Sequence, residues 1–350
     1  MLHRRLGRTG LDVGVIGLGM EHLTSPDTLV ETVRAAVDGG VNYVDIMIWR
    51  PELQEALGVA LQGIRNRVLL AGHLGVATHK GMYRKTRDPV ECRQLLQDLL
   101  ARLRTDYLDV LHITYVDAAD DLDRVMAPSG VLELARRLKG DGVARALGMS
   151  GHSATTAMRL LESTDLDVVM QPVGLLDPSD AAKRELLHLC SRRGIGVVAM
   201  KPFHGGESFR LEEALSPWQC IHYTLSQPAV GVALCGVKSV IELHQNLGYL
   251  DAASEQVDFW PRLAEFQEPV RGTCVYCSHC LPCPVDIDIP TVLRLRAAAQ
   301  DGVGDALRTQ YGALGSPASD CVECGECTER CPFGVEVTEL LGDAARLLEK

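Results

Sequence analysis

From residue 1 to about 262, short apolar runs alternate with amphipathic stretches. The runs are VGVIGLGM (13–20), VNYVDIM (41–47), RVLLAGHLG (67–75), YLDVLHITYV (107–116), ARALGMSG (144–151), DVVMQPVGLL (167–176), GIGVVAMKP (194–202) and VGVALCGV (230–237). Each has the length of a buried strand, and a glycine or an Arg/Lys-rich helix end often precedes it. The segments between them read as helices. In ECRQLLQDLLARL, Leu95, Leu96, Leu99, Leu100 and Leu103 fall on one face. MRLLES and KRELLHLCSRRG behave likewise, the second stopping at Gly194 as a helix end should. Strands alternating with helices predict a parallel sheet. Eight such repeats in about 260 residues suit a closed (β/α)8 TIM barrel.

The pattern changes after FWPRLAEFQEPVRG (259–272). A cysteine run is followed by the helical IPTVLRLRAAAQ, a glycine-rich connector, a second cysteine run and the helical EVTELLGDAARLLEK. The expected organisation is a barrel over 1–262, a linker over 263–272 and a small strandless helical domain over 273–350. The apolar content of that tail is too thin for a core of its own, so a metal group is expected to organise it.

Eight of the twelve cysteines lie in the two runs. The second is C-x2-C-x2-C-x3-C-P: Cys321, Cys324, Cys327, Cys331 and Pro332. This is the spacing of bacterial two-cluster ferredoxins, in which three cysteines surround one cubane and the fourth reaches the other. The first run is C-x2-C-x2-C-x2-C-P: Cys274, Cys277, Cys280, Cys283 and Pro284, with a last gap one residue shorter. Zinc sites use paired C-x2-C hooks with a long spacer, so two compact quadruplets favour two [4Fe-4S] clusters. By the ferredoxin pattern Cys274, Cys277, Cys280 and Cys331 hold one cluster, and Cys321, Cys324, Cys327 and Cys283 the other. His279, inside the first run, is read as a surface or supporting residue. Cys92, Cys190, Cys220 and Cys235 stand alone and read as small buried side chains.

The net charge of −11 argues against nucleic acid as the main partner. The chain shows neither a signal peptide nor an apolar stretch of membrane-spanning length, so a cytoplasmic protein is expected.

The opening RRLGRTGLDVGVIGLG resembles the N-terminus of the aldo-keto reductases, as do GGVNYVDI (39–46), LRTDYLDVLHI (103–113), GVARALGMSGH (142–152) and CGVKSVIELHQN (235–246) in order. With its ferredoxin-like tail the chain is similar to an iron–sulfur subgroup of that family. The resemblance implies a barrel with its site at the C-terminal strand ends and an Asp, Tyr, Lys and His tetrad that reduces carbonyls with NADPH. The Asp falls on Asp45. The Tyr position is Arg50, beside Trp49; the Lys position is His73; the His position is Thr114. A positioned general acid contributes roughly 10²–10⁴ in rate, and arginine does not release a proton near neutral pH. Ordinary carbonyl reduction is therefore not expected here. For the nucleotide, Ser150 and Gln171 match the residues that hold the nicotinamide amide, and Lys238, Ser239 and Asn246 match the adenosine-phosphate motif. Met200 replaces the aromatic that stacks on the ring. NAD(P) is thus either a partner or absent.

Asp45 and His73 are neighbours by the family's geometry and form a candidate acid–base pair. His112 is expected to point inward two residues before Thr114, as a hydrogen-bonded core histidine or as part of the site. His152 and Lys201 end two strands and are further candidates. The long segment 73–92 carries Lys80, Arg84, Lys85 and Arg87, suited to an anionic substrate or an acidic redox partner, and Tyr83, which could replace the missing phenol. The expected function is an iron–sulfur oxidoreductase relaying electrons between two [4Fe-4S] clusters and a small anionic substrate or nicotinamide at the barrel mouth. Its electron donor would be a ferredoxin or flavodoxin-type protein. The alternative is a non-redox lyase, dehydratase or isomerase on the same barrel, with structural or Lewis-acid clusters.

Overall fold

The computed structural model describes residues 1–350 except 49, 80–81, 176–179, 210–214, 259–271, 273, 275–279, 300–302, 304, 332–333 and 350. The described residues divide into two compact units, Met1–Ala77 with Lys85–Pro269, and Thr78–Arg84 with Val270–Lys350.

The first unit opens with an antiparallel pair, β1 (His3–Arg5) and β2 (Asp12–Gly14). Eight strands then close a barrel: β3 (Ile16–Gly19), β4 (Tyr43–Asp45), β5 (Leu69–Leu74), β8 (Leu108–Thr114), β9 (Ala144–Ser150), β10 (Val168–Pro172), β11 (Gly196–Met200) and β12 (Val230–Gly236). Between β5 and β8 a separate two-stranded sheet joins β6 (Val76–His79) and β7 (Met82–Lys85). Every barrel pair is parallel, and β12 pairs with β3 to complete the circle. All eight strands fall inside the eight apolar runs of the sequence. The β6–β7 sheet does not: the alternation there is too short and too charged to announce it.

Helices follow the strands on the outside. Pro89–Leu103 buries Cys92, Leu96, Leu99, Leu100 and Leu103, the leucine face legible in the sequence. Asp88 caps it by accepting from the Val90 amide, with proline at its first turn. Ala181–Arg193 ends at Gly194 in the left-handed conformation, φ 64°. Cys92, Cys190, Cys220 and Cys235 are all buried. Burial pushes the Cys190 and Cys220 thiols up to about 12, which suits inert core residues.

Strand alternation sorts the barrel into two apolar layers. Tyr43, Ala71, Val110, Ala146, Val168, Met170, Val198 and Val232 fill the interior together with Leu6 and Val13 from the N-terminal pair. The larger layer packs the strands against the helices. Nearer the C-terminal ends, β4, β5, β8 and β9 turn Asp45, His73, Thr114 and Ser150 inward, whereas β11 and β12 keep Met200 and Leu234 there.

The second unit holds helices Ile289–Ala298, Asp305–Gly312 and Val337–Leu348. The middle helix lies in the stretch read as a glycine-rich connector; Gly302, Gly304 and Gly312 around it mask its short pattern. Ile287, Ile289, Val292, Val337, Leu341 and Ala344 form a core with Cys280, Cys283 and Cys327. Arg296 ties the first helix to the last through Asp343 at 2.7 Å. Among the described residues no helix is long and apolar enough to cross a membrane.

Candidate active site and cluster pocket

Asp45 is the last residue of β4, His73 the penultimate residue of β5 and Thr114 the last of β8. The register sets Asp45 opposite Ala71 and His73 opposite His112, so these side chains share the inward face at the same end of the barrel. They form one hydrogen-bonded series. His73 Nε2 lies 2.8 Å from Asp45 Oδ1, and His73 Nδ1 lies 2.7 Å from Thr114 Oγ1. The side chains of His73 and Asp45 are 6% and 5% exposed. An ionised carboxylate only accepts, so the Nε2 hydrogen points to Asp45. Nδ1 then accepts from the threonine hydroxyl in the neutral ring, or donates to it in the charged one. Three of the four positions that the resemblance implies thus meet, with different side chains at two of them.

Arg50 does not join them. Its guanidinium donates to the Thr24 carbonyl and lies 3.7 Å from Glu52, at the start of helix Pro51–Ala60. Trp49 and Lys80 lie outside the described residues. Tyr83 is buried on β7 and grouped with the second unit. The basic segment is engaged at its root by Arg87, which is 9% exposed, while Lys85 stays exposed. Buried Asp121 receives Arg87 through Nε at 2.8 Å and NH2 at 2.7 Å, and Lys85 at 3.1 Å. Arg87 NH2 also donates to the Thr114 carbonyl at 2.8 Å, which ties this segment to the end of β8.

Beneath His73 lies His112, fully buried and stacked on it with centroids 5.6 Å apart. Its Nε2 is 3.4 Å from the Tyr43 hydroxyl. Burial, reinforced by the charge on His73, holds the His112 pKa well below the usual imidazole range. Burial, and then the carboxylates of Asp45 and Asp109, raises that of Tyr43. Tyr43 lies two residues before Asp45 and so on the same strand face. That spacing was the available signal for it, but the missing phenol at residue 50 drew the sequence reading elsewhere.

Lys201 and His152 meet: Nζ lies 3.0 Å from His152 Nε2, joining the segments that follow β11 and β9. Ser150 ends β9, and Gln171 lies one residue beyond the Met170 that pairs with it. Gln171 is fully buried, and neither of its amide atoms has a hydrogen-bond partner. Such an orphaned amide is costly unless something pairs with it, and a carboxamide has matching donors and acceptors. Ser150 and Gln171 therefore fit a nicotinamide amide. At the adenosine end, Lys238 is exposed, Asn246 is buried and the Ser239 hydroxyl accepts from the Glu242 amide at 3.3 Å.

In the second unit Cys283, Cys321, Cys324 and Cys327 line one pocket, enclosing about 300 Å³ of space partly open to solvent. Pro284, Ile289, Arg330 and Leu341 complete its wall. Cys324 is exposed and Cys327 buried. No group of three or more His, Cys, Asp or Glu among the described residues converges closely enough for a single metal ion. Four thiols on one pocket wall, three of them in C-x2-C-x2-C spacing, fit a [4Fe-4S] cluster. These four would hold it. Cys277 and His279 lie outside the described residues. Cys280 and Cys331 are brought into one region by Arg330, whose NH2 donates to the carbonyls of Cys280 at 2.9 Å and Pro282 at 2.7 Å.

Comparison with known proteins follows the same division. Residues 14–216 match the profile of the Aldo/keto reductase family, and residues 273–336 that of a 4Fe-4S dicluster domain. The chain is 24% identical over 285 residues to "Uncharacterized oxidoreductase YqkF" of Bacillus subtilis (strain 168), covering 71% of this chain and 90% of that protein. It is 24% identical over 284 residues to L-galactose dehydrogenase of Arabidopsis thaliana, covering 70% and 86%. Among solved structures, the holo form of aldo-keto reductase AKR11C1 from Bacillus halodurans superposes with a TM-score of 0.63 at 21% identity, over 75% of this chain and 96% of that one.

Proposed function

The chain belongs to the aldo/keto reductase family, and from that premise we propose an iron–sulfur oxidoreductase whose barrel mouth handles protons through Asp45, His73 and Thr114 and whose C-terminal cysteines hold two [4Fe-4S] clusters. The observation that carries this reading is the Asp45–His73–Thr114 series, in which the family's Asp is joined by two side chains the resemblance does not imply at those positions. When bound, the clusters supply one-electron transfer.

The protein's own groups manage what accompanies the electrons. Asp45 orients the His73 ring and balances its positive charge when it takes a second proton. The Thr114 hydroxyl is then the group through which Nδ1 can exchange that proton with a substrate at the strand ends. Arg50 lacks the acidity of the phenol it replaces, so reduction of an ordinary carbonyl by the family's usual acid has no provider at residue 50. Ser150 and Gln171 would hold a nicotinamide amide, and Lys238, Ser239 and Asn246 an adenosine phosphate. A ferredoxin or flavodoxin-type protein is the electron donor this reading calls for. Family membership and oxidoreductase-named relatives favour this account over a lyase, dehydratase or isomerase.

The test is an anaerobic titration of the purified protein with NADPH and then NADH, following the visible cluster absorbance and nucleotide fluorescence. Bleaching of the band supports coupling between the nucleotide groove and the clusters. Clusters reduced by dithionite alone, with no nucleotide bound, remove nicotinamide from the reading. A protein that stays free of iron after anaerobic reconstitution overturns the iron–sulfur reading itself.

A further inference from the structure

Beside Gln171 the strand ends carry a second polar assembly. Asp117, three residues past β8, accepts the backbone N–H groups of His152 and Ser153 with Oδ1, the latter at 3.1 Å. Its Oδ2 lies 3.6 Å from His152 Nδ1. The His152 ring is thereby set with Nδ1 toward the carboxylate and Nε2 toward Lys201 Nζ, 3.0 Å away. An ammonium only donates, so Nε2 is the unprotonated nitrogen. Burial first, and Lys201 second, bring the His152 pKa down to about 4, which keeps the ring neutral near pH 7.

Lys201 has a left-handed backbone, φ 56°, a conformation uncommon for a long side chain and frequent at functional sites. The turn it opens brings His204 back, with the His204 amide donating to the Lys201 carbonyl at 3.0 Å. His204 is 6% exposed, and its Nδ1 has no hydrogen-bond partner. Burial, then Lys183 and Lys201, lower its pKa to about 3. Lys183, on helix Ala181–Arg193, is buried and has Asp180 at 3.9 Å. Among the described residues no carboxylate lies within ion-pair distance of Lys201. Its contact is a neutral ring, which offers no countercharge. Charges withdrawn from water are ordinarily paired.

We propose that Lys201, with Lys183, His152 and His204 around it, forms an oxyanion site that holds the carboxylate or phosphate group of the substrate. This rests on the barrel mouth being the place of reaction, as in the function proposed above. Lys201, directly after β11, supplies the charge. The neutral His152 holds the ammonium in place without cancelling it. Lys201 is partly exposed, so an anion can reach it, and the buried rings of His152 and His204 beside it strengthen the attraction.

Inorganic phosphate is the probe, titrated by calorimetry into the anaerobically purified full chain with its iron content measured alongside. Saturable binding is expected, weakened about tenfold or more in Lys201→Met and unchanged in Lys139→Met, whose exposed ammonium pairs with Asp167 instead. Lys201→Arg keeps the charge and is expected to retain binding, which separates charge loss from misfolding. Absence of saturable binding to the native protein overturns the proposal, as does binding of native strength in both Lys201→Met and Lys183→Met. Displacement of phosphate by NADPH that is lost in Lys201→Met assigns the site to a nucleotide pyrophosphate and overturns the substrate assignment. Binding is read without turnover or cluster reduction, so failure here leaves the iron–sulfur reading intact, whereas loss of iron fails that reading alone.

Discussion

Replacing Gly148 by alanine tests whether the barrel wall fixes His112 and, through it, His73. Gly148 lies on β9 directly beside His112 on β8. A Cβ at 148 would come 2.6 Å from His112 Nδ1, 2.8 Å from the Val168 carbonyl oxygen and 2.9 Å from His112 Cε1. The carbonyl is part of the sheet and cannot turn away. The added methyl must therefore displace the imidazole or spread β9 from β10. His112 has little room to move, being fully buried between the His73 ring and the Tyr43 hydroxyl. Overfilling a close-packed interior by one methyl group costs about 1–3 kcal/mol. For a unit of this size each kcal/mol lowers the unfolding midpoint by roughly 2–4 °C, so a fall of about 2–12 °C is expected. Far-UV circular dichroism gives the midpoint, and the imidazole resonances of His73 and His112 report the displacement. A midpoint within about 1 °C of the native one, with both histidines unmoved, would refute the idea that the two rings are wedged against β9. His112→Ala combined with Gly148→Ala should recover part of the loss, because the methyl then enters the space the ring leaves.

Four further outcomes are expected. Asp121→Ala removes the carboxylate between Arg87 and Lys85 and leaves a guanidinium that is 9% exposed without its partner; chemical denaturation should show a loss of about 3–5 kcal/mol. The His152 pKa of about 4 lies below its ordinary 6.5, so the unfolded chain takes up a proton that the folded chain refuses as pH falls between those values. Stability is then full above pH 6.5 and declines toward pH 4, by about 3 kcal/mol from this residue; unfolding midpoints across that window should fall less steeply in His152→Gln. Cys324→Ser opens the pocket shared with Cys283, Cys321 and Cys327, and iron per chain should drop by about half while a cluster signal persists; full iron retention would contradict Cys324 as a cluster ligand. Glu349 accepts from the Ser319 amide at 3.0 Å and the Tyr311 hydroxyl at 2.5 Å, just ahead of Cys321; Glu349→Ala should destabilise the second unit by about 1 kcal/mol and quicken cluster loss in air.

The barrel was legible because burial on both faces makes each strand an unbroken apolar run, and because eight such runs alternate with leucine-faced helices. Asp45 and His73 were legible because strand ends converge on one mouth, so residues distant in sequence could be placed side by side. Thr114 was harder to see. Read against the family's tetrad it marked a missing histidine, whereas the structure shows a hydroxyl engaging His73. Lys85 and Arg87 read as contacts for an anionic substrate or redox partner because Asp121, the carboxylate they meet, is more than thirty residues away and belongs to no local pattern. The same limit hid Asp117, which acts on His152 from 35 residues upstream. Helix Asp305–Gly312 and the β6–β7 sheet are too short for periodicity to reveal. The ferredoxin spacing pattern implies a crossed ligand set, and Cys283 lines the same pocket as Cys321, Cys324 and Cys327.

The neutral ring of His112 also bears on how isotopes would move through this molecule. Below it the barrel is filled by Tyr43, Val110, Val168, Val198 and Val232, with Leu6 and Val13 closing the far end. An imidazole held uncharged, a phenol held protonated and a plug of hydrocarbon make that end a barrier to hydrogen ions. Deuterium from the solvent should therefore reach His73 from the mouth side alone. A label placed on substrate and returned to water must leave by the same opening. The barrel thus works as a vessel with a single outlet, and retention of label during turnover would measure how long that outlet stays covered.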